Sequence, residues 1–331
     1  MQLVNLGNSN VKVTPLTFGA WAVGGWMWGG AEENESIRAI RASYDHGMTT
    51  IDTAPVYGFG RSEELVAKAM QGVSRDRYQI LTKFGMNWET EEGEYFFDTT
   101  DNQGQAVKMF KFSAAAKIRH ECEQSLKRLR TDYIDLLQIH WPDSTTPIPE
   151  SMGAVAKLIE EGKVRAAGVC NYSAAQVEEA LNTINIVSNQ VPYSMVNRAI
   201  EKEVVPQAVR RGISILPYSP LQRGLLSGKI TRDFKFGAGD TRPGNRFYHP
   251  INRDRINSML DEFRPIAEKY SATLSQIVIQ WTLRQTAVTS VLVGARNERQ
   301  VRENVGSLNF KLSPTELKFM TEAADNLMLI E

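Results

Sequence analysis

The chain has 331 residues, with 38 Lys plus Arg against 38 Asp plus Glu, 42% hydrophobic residues and 23% charged residues. That length holds two average domains or one large α/β barrel, and a net charge of zero gives no support for nucleic-acid or membrane-surface binding, so any anion must be met by a local patch. Two distant cysteines, Cys122 and Cys170, argue against a disulfide scaffold or a cysteine-based zinc site. Met1 to Asn10 lack a basic segment followed by an apolar run, and no apolar stretch nears the roughly 18 residues of a membrane span. A cytoplasmic protein without a membrane partner is expected.

In chain order, Gln2 to Leu6 and Val11 to Thr14 flank the turn-rich Gly7-Asn8-Ser9 and predict an N-terminal β-hairpin. Strand and helix signals then alternate. Leu16 to Gly19 is a short apolar run, and Glu33 to His46 has helical spacing closed by Gly47. Strand-like Thr49 to Asp52 precedes a helix over Ser62 to Met70, and strand-like Tyr78 to Thr82 precedes one over Ala114 to Leu129. The apolar run Tyr133 to Ile139 is followed by a helix from Glu150 to Glu161. The next pairs are Val164 to Val169 with Ala174 to Leu181, Ile186 to Val191 with Lys202 to Arg211, and Ile213 to Tyr218 with Leu274 to Arg284. The last pair is Val288 to Val293 with Glu298 to Val305. Eight strand-helix units predict an α/β fold of the (β/α)8 TIM-barrel class, with a doubly wound open sheet as the competing arrangement. No linker or composition shift divides residues 1–331, so one domain is expected. Met86 to Phe112 and Ser219 to Pro250 are too long for simple connections. Both leave the C-terminal ends of strands, where barrel active sites lie.

Ionisable groups at consecutive strand ends converge on one barrel mouth. Asp52 and Tyr57 follow the second strand, Lys83 the third and His140 the fourth. Together they suit carbonyl reduction. An alkoxide that develops on hydride addition needs a proton, and Tyr57 has one to give. An ordinary phenol titrates near 10, so Lys83 is expected to lower it, with Asp52 holding the lysine. His140 is placed to orient the carbonyl oxygen by a hydrogen bond. Trp21, Trp26, Trp28, Phe84 and Trp141 lie beside the same strand ends and predict an aromatic substrate pocket.

These residues carry a resemblance. Ile51-Asp52-Thr53-Ala54 with Tyr57-Gly58, Thr82-Lys83-Phe84-Gly85 and Gln138-Ile139-His140-Trp141-Pro142-Asp143 resemble the motifs of the aldo-keto reductases over nearly the whole chain. Ala22-Val23-Gly24-Gly25-Trp26-Met27-Trp28-Gly29-Gly30 is similar to the bacterial branch that contains the general-stress and inositol-associated reductases. The resemblance implies an enzyme that moves hydride between NADPH and a small carbonyl or alcohol substrate, with Asp52, Tyr57, Lys83 and His140 as its tetrad. It further implies nucleotide contacts at Gly19, Ala20 and Trp21 and a carboxamide site at Cys170, Asn171 and Gln190. Cys170 stands where the family usually has serine, and a thiol is a weak hydrogen-bond partner. Tyr218 would stack on the nicotinamide, and a loop of Ser219, Pro220, Leu221, Arg223, Gly224 and Leu225 would cover the pyrophosphate. Gly294, Ala295, Arg296, Gln300, Glu303 and Asn304 would take the adenosine 2′-phosphate and the adenine, NADP being the nucleotide implied.

Gly58-Phe59-Gly60 imitates a dinucleotide fingerprint, but Glu63 stands where the third glycine belongs. A second function on the same barrel is an NADP-holding regulatory or binding subunit with little turnover, of the kind associated with channels. All four tetrad residues and the lack of a long N-terminal extension favour the enzyme. A metal-dependent barrel hydrolase or isomerase is disfavoured, since only His140 of four histidines stands at a strand end and no metal ligand set is expected.

Overall fold

The computed structural model describes residues 1–28, 30–237 and 240–331, which leaves Gly29 of the tryptophan-rich segment outside the described residues. Eight parallel strands carry the fold: β1 Leu16–Gly19, β2 Thr50–Asp52, β3 Gln79–Phe84, β4 Leu136–Ile139, β5 Ala167–Cys170, β6 Ile186–Pro192, β7 Ser214–Tyr218 and β8 Val291–Gly294. They pair in chain order, and β8 returns to β1 with Val293 opposite Phe18. Between β7 and β8 the ring is joined at Ile215. Its N–H donates to Ala287 O at 2.8 Å, and its carbonyl accepts from Thr289 N–H at 3.1 Å. The result is the expected (β/α)8 barrel.

Helices α1 Glu33–Asp45, α2 Arg61–Ala69, α3 Ala115–Leu129, α4 Ile148–Glu160, α5 Ala174–Leu181 and α6 Val204–Arg211 follow β1 to β6. α7 Pro250–Glu262, α8 Arg264–Lys269 and α9 Leu274–Leu283 lie between β7 and β8, and α10 Glu298–Gly306 and α11 Pro314–Asp325 follow β8. No described helix is long and apolar enough to cross a membrane.

The N-terminal hairpin is shorter than expected, pairing Val4–Asn5 with Lys12–Val13. It plugs the N-terminal end of the barrel, where Leu6, Val11 and Val13 pack with Leu81, Leu136, Val187 and Leu216. Its turn needs Gly7, at φ +51°, because a Cβ there would lie 2.2 Å from Val187 O. The third strand runs past Thr82 to Phe84, since Lys83 and Phe84 pair with Gln138 and Ile139. The fourth begins only at Leu136. Before it, Tyr133 lies between the Arg75 and Arg165 guanidiniums, and Asp135 accepts from Arg75 at 2.6 Å and from Ile80 N–H at 2.9 Å.

Both long connections are structured. Met86 to Phe112 forms a three-stranded antiparallel flap of Met86–Asn87, Glu94–Thr100 and Ala106–Lys111. The described residues of Ser219 to Pro250 form a strap across the mouth, with short 3-10 turns at Leu225–Ser227, Arg242–Gly244 and Arg246–Tyr248.

Candidate active site

Parallel pairing brings the four tetrad residues together at the C-terminal mouth. Lys83 Nζ donates to Asp52 Oδ1 at 2.6 Å and to Thr53 O at 2.9 Å. Asp52 Oδ2 accepts from Gln190 Nε2 at 2.8 Å and Gln138 Nε2 at 3.4 Å. The ammonium lies 4.9 Å from the centre of the Tyr57 ring, which meets the His140 ring edge-on at 5.7 Å. His140 is fixed through its backbone: its N–H donates to Phe84 O at 2.9 Å, and its carbonyl accepts from Asn171 Nδ2 at 3.0 Å. The loop bearing Tyr57 is held by close backbone approach. A Cβ on Gly58, at φ +71°, would lie 2.3 Å from Gly24 O, which explains the Tyr57-Gly58 pair.

The electrostatics differ from the expectation in one respect. Burial pushes the Tyr57 phenol up, to about 12, and outweighs the downward pull of the Lys83 ammonium. The Tyr–Lys coupling exists, but Tyr57 stays protonated across the working range of pH. Burial is the largest single influence on Lys83 and works against its charge, yet Asp52 together with Tyr57 and Cys170 outweighs it and the lysine is held above its ordinary value. For His140, burial first and Lys83 second hold the imidazole well below its usual range, so the ring is neutral.

A cleft of about 620 Å³ starts at the tetrad and runs between the strap and β8 to the start of α10. Asp52, Tyr57 and His140 open onto it, while Lys83 reaches its partners from behind the wall. Gly19, Trp21, Cys170, Asn171, Gln190 and Tyr218 line its inner part. Ser219, Pro220, Leu221, Arg223 and Gly224 form the strap side. Gly294, Ala295, Arg296, Gln300, Glu303 and Asn304 form the far end. Tyr218 Oη donates to Asn171 Oδ1 at 2.9 Å, and Cys170 is buried with its thiol pushed up by that burial. Trp26, Trp28 and Trp141 line the other arm beside Trp21.

Four expected residues are not on the cleft: Lys83, behind the wall, and Phe84, Ala20 and Leu225. Phe84 follows the inward Lys83, so strand alternation turns it outward to pack with Ile118, Cys122 and Ile139. Ala20 and Leu225 are fully buried behind the wall, in the packing beneath β1 and the strap. Sequence reasoning missed Met27, Met86, Phe96 and Phe97 on the aromatic arm, and Lys229, Arg242 and Arg299 on the other. The flap pair was the most legible omission, because alternation in Glu94 to Thr100 and Ala106 to Lys111 about the Asp101-to-Gly104 turn is a hairpin signal.

The cleft fits a nicotinamide dinucleotide. It is elongated, it joins a proton-donor set to a helix start, and its wall holds the buried, unpartnered Nδ1 of His140 and Nε of Arg223. A barrel with such a set at its mouth is a carbonyl and alcohol oxidoreductase. The sequence profile of the Aldo/keto reductase family matches residues 15–325, and the chain belongs to that family. It is 35% identical over 303 residues to the aldo-keto reductase YhdN of Bacillus subtilis (strain 168), covering 91% of this chain and 87% of that one. It is 35% identical over 332 residues to the NADH-specific methylglyoxal reductase of Escherichia coli (strain K12), covering 99% of each. The solved structure of the glycerol dehydrogenase AKR11B4 from Gluconobacter oxydans matches with a TM-score of 0.88 at 36% identity, covering 98% of this chain and 95% of that one.

Proposed function

We propose that the protein reduces aldehydes and ketones, or oxidises the matching alcohols, with NADP(H), as a cytoplasmic enzyme built on one barrel domain. The observation that supports this most directly is the buried Asp52–Lys83 pair beside a protonated Tyr57 and a neutral His140 at the inner end of the cleft. A bound reduced nicotinamide supplies the hydride. Tyr57 gives its phenolic proton to the carbonyl oxygen as negative charge grows there. His140 offers a neutral N–H to the same oxygen and fixes its direction. Lys83 steadies the phenolate that the transfer leaves, and Asp52, held by Gln190, keeps Lys83 in place. Asn171, Gln190 and Tyr218 would border the nicotinamide. Loss of NADPH absorbance with a panel of aldehydes and keto-sugars tests the activity. No oxidation with any carbonyl compound overturns it.

The protonation states carry a pH expectation. Tyr57 acts in its acid form, so activity is present below its pKa and falls as pH rises through it. His140 is already neutral above its depressed pKa. The kcat/KM profile is therefore expected to be flat from about pH 6 to about pH 9. A limb near neutrality that disappears in His140→Asn would show that the imidazole titrates in the working range.

The choice of nucleotide rests on local charge, because a relative 35% identical is named as NADH-specific. Arg296 is exposed at the end of the cleft and has no ion-pair partner among the described residues. Its N–H donates to Gln300 Oε1 at 2.8 Å, where α10 begins. Arg302 instead turns to Glu298 at 3.4 Å and is not on the cleft. A guanidinium grips a phosphate through two bonds. Arg296→Ala is expected to raise the NADPH dissociation constant roughly 10- to 150-fold and to change NADH binding little, as read by fluorescence titration. Equal losses for both nucleotides would place the 2′-phosphate elsewhere.

A further inference from the structure

The flap is joined to three separate loops of the mouth. Trp26 Nε1, after β1, donates to Thr99 Oγ1 at 3.1 Å. Asn102 Nδ2 donates to Gly58 O, next to Tyr57, at 2.9 Å. Glu94 accepts from Ser144 N–H at 3.1 Å and from Ser144 Oγ at 2.7 Å, three residues beyond Trp141. A hairpin fixed at three points is a preorganised wall. Its pairing also carries an irregularity: Tyr95 faces Phe110, but Phe97 faces Met109, so Phe96 is an extra residue on its strand. Consecutive residues of a regular strand point to opposite faces. Here Phe96 and Phe97 both line the cleft, and bulges of this kind re-aim side chains beside active sites. Phe96 packs on Trp141 at 5.4 Å, and Phe97 stacks on Trp26 at 6.3 Å.

Charge is segregated along the same cleft. Among the described residues, every charged side chain on its wall other than Asp52 comes from the strap, the turn after β8 or α10. The wall supplied by the β1, β2 and β4 loops and the flap is aromatic or aliphatic apart from the tetrad itself. The strap's Arg223 guanidinium reaches that arm too, 5.9 Å from the centre of the Trp21 ring and 5.4 Å from that of Trp28, whereas the surface offered by Phe96 and Phe97 is wholly apolar.

We propose that the bulged flap is the substrate selector, and that the substrate is a carbonyl compound carrying a flat, apolar group, such as an aromatic aldehyde. The flat group lies against Phe96 and Phe97 while the carbonyl meets Tyr57 and His140. This rests on the oxidoreductase reading above, and names the substrate class for the same site.

The test is steady-state oxidation of NADPH, and of NADH in parallel, with benzaldehyde and methylglyoxal. The parent enzyme is expected to favour benzaldehyde over methylglyoxal in kcat/KM by roughly tenfold or more. In Phe97→Ala the benzaldehyde-to-methylglyoxal ratio is expected to fall roughly tenfold, and Phe97→Leu is expected to recover part of it. The ratio is internal to each preparation, so a variant of lower overall activity still reports selection. Methylglyoxal turned over as well as benzaldehyde by the parent, or an unchanged ratio in Phe97→Ala, overturns the inference alone. No turnover of any carbonyl compound overturns the oxidoreductase reading and the inference with it.

Discussion

Lys83→Met is expected to remove both catalysis and a large part of the stability of the barrel. The Lys83 and Asp52 side chains are 0% and 2% exposed and 2.6 Å apart. Replacing the lysine leaves a carboxylate inside the barrel with only Gln190 and Gln138 as donors. Removing one partner of a buried ion pair costs about 3–5 kcal/mol, because the other charge stays buried and uncompensated. The sign with pH follows from the raised pKa of Lys83. A group raised on folding contributes its full stabilisation below its unfolded pKa, near 10.4, and loses it only as pH rises through the folded value. At neutral pH the whole contribution is therefore in force. Guanidinium unfolding of the variant measures it. Asp52→Asn in the same chain is expected to restore much of the stability and none of the activity. A single variant as stable as the parent would show that Asp52 finds another partner or takes up a proton without consequence.

Tyr57→Phe is expected to lower kcat by roughly 10²-fold or more, the usual scale of general acid catalysis. The ring is held by neighbours that phenylalanine keeps: Trp21 stacked at 6.1 Å, His140 edge-on and the Lys83 ammonium against its face. Only the phenolic hydroxyl is lost, so nucleotide binding, followed by fluorescence, is expected to stay nearly unchanged. A variant that keeps half of the parental kcat removes Tyr57 from proton transfer. Reading the two variants together separates roles, since Tyr57→Phe leaves the barrel charges paired and Lys83→Met does not.

The tetrad was legible because ionisable side chains at the ends of buried apolar runs have few structural uses, and parallel strands bring such ends together. The same period of two, applied one residue further, would have turned Phe84 away from the pocket, because neighbours on a strand cannot both face inward. The flap needed a bulge to break that rule at Phe96 and Phe97, and a bulge is set by pairing rather than by local pattern. Helix α11 carried a signal that the reading passed over. Ser313, Pro314 and Glu316 form a capping box with proline at the first turn. The Tyr57 pKa was misjudged for a different reason. Sequence proximity suggests the cation, but the competing desolvation depends on how fully the mouth is covered, which only packing decides.

The joint at Ile215 has a consequence for motion. Elsewhere the strands of the barrel are sewn by ladders, but among the described residues β7 is tied across this joint only by the two backbone hydrogen bonds of Ile215 to Ala287 and Thr289, just before β8. That is the weakest stitch in the ring, and local opening follows the least-supported backbone. The lips of this seam continue into the strap on one side and into Gly294, Ala295 and Arg296 on the other. A dinucleotide held as proposed would lie across this seam and act as a staple between its two lips. Ligand that binds only the closed ring adds its own binding free energy to the fold, about 2.7 kcal/mol at a hundred times its dissociation constant.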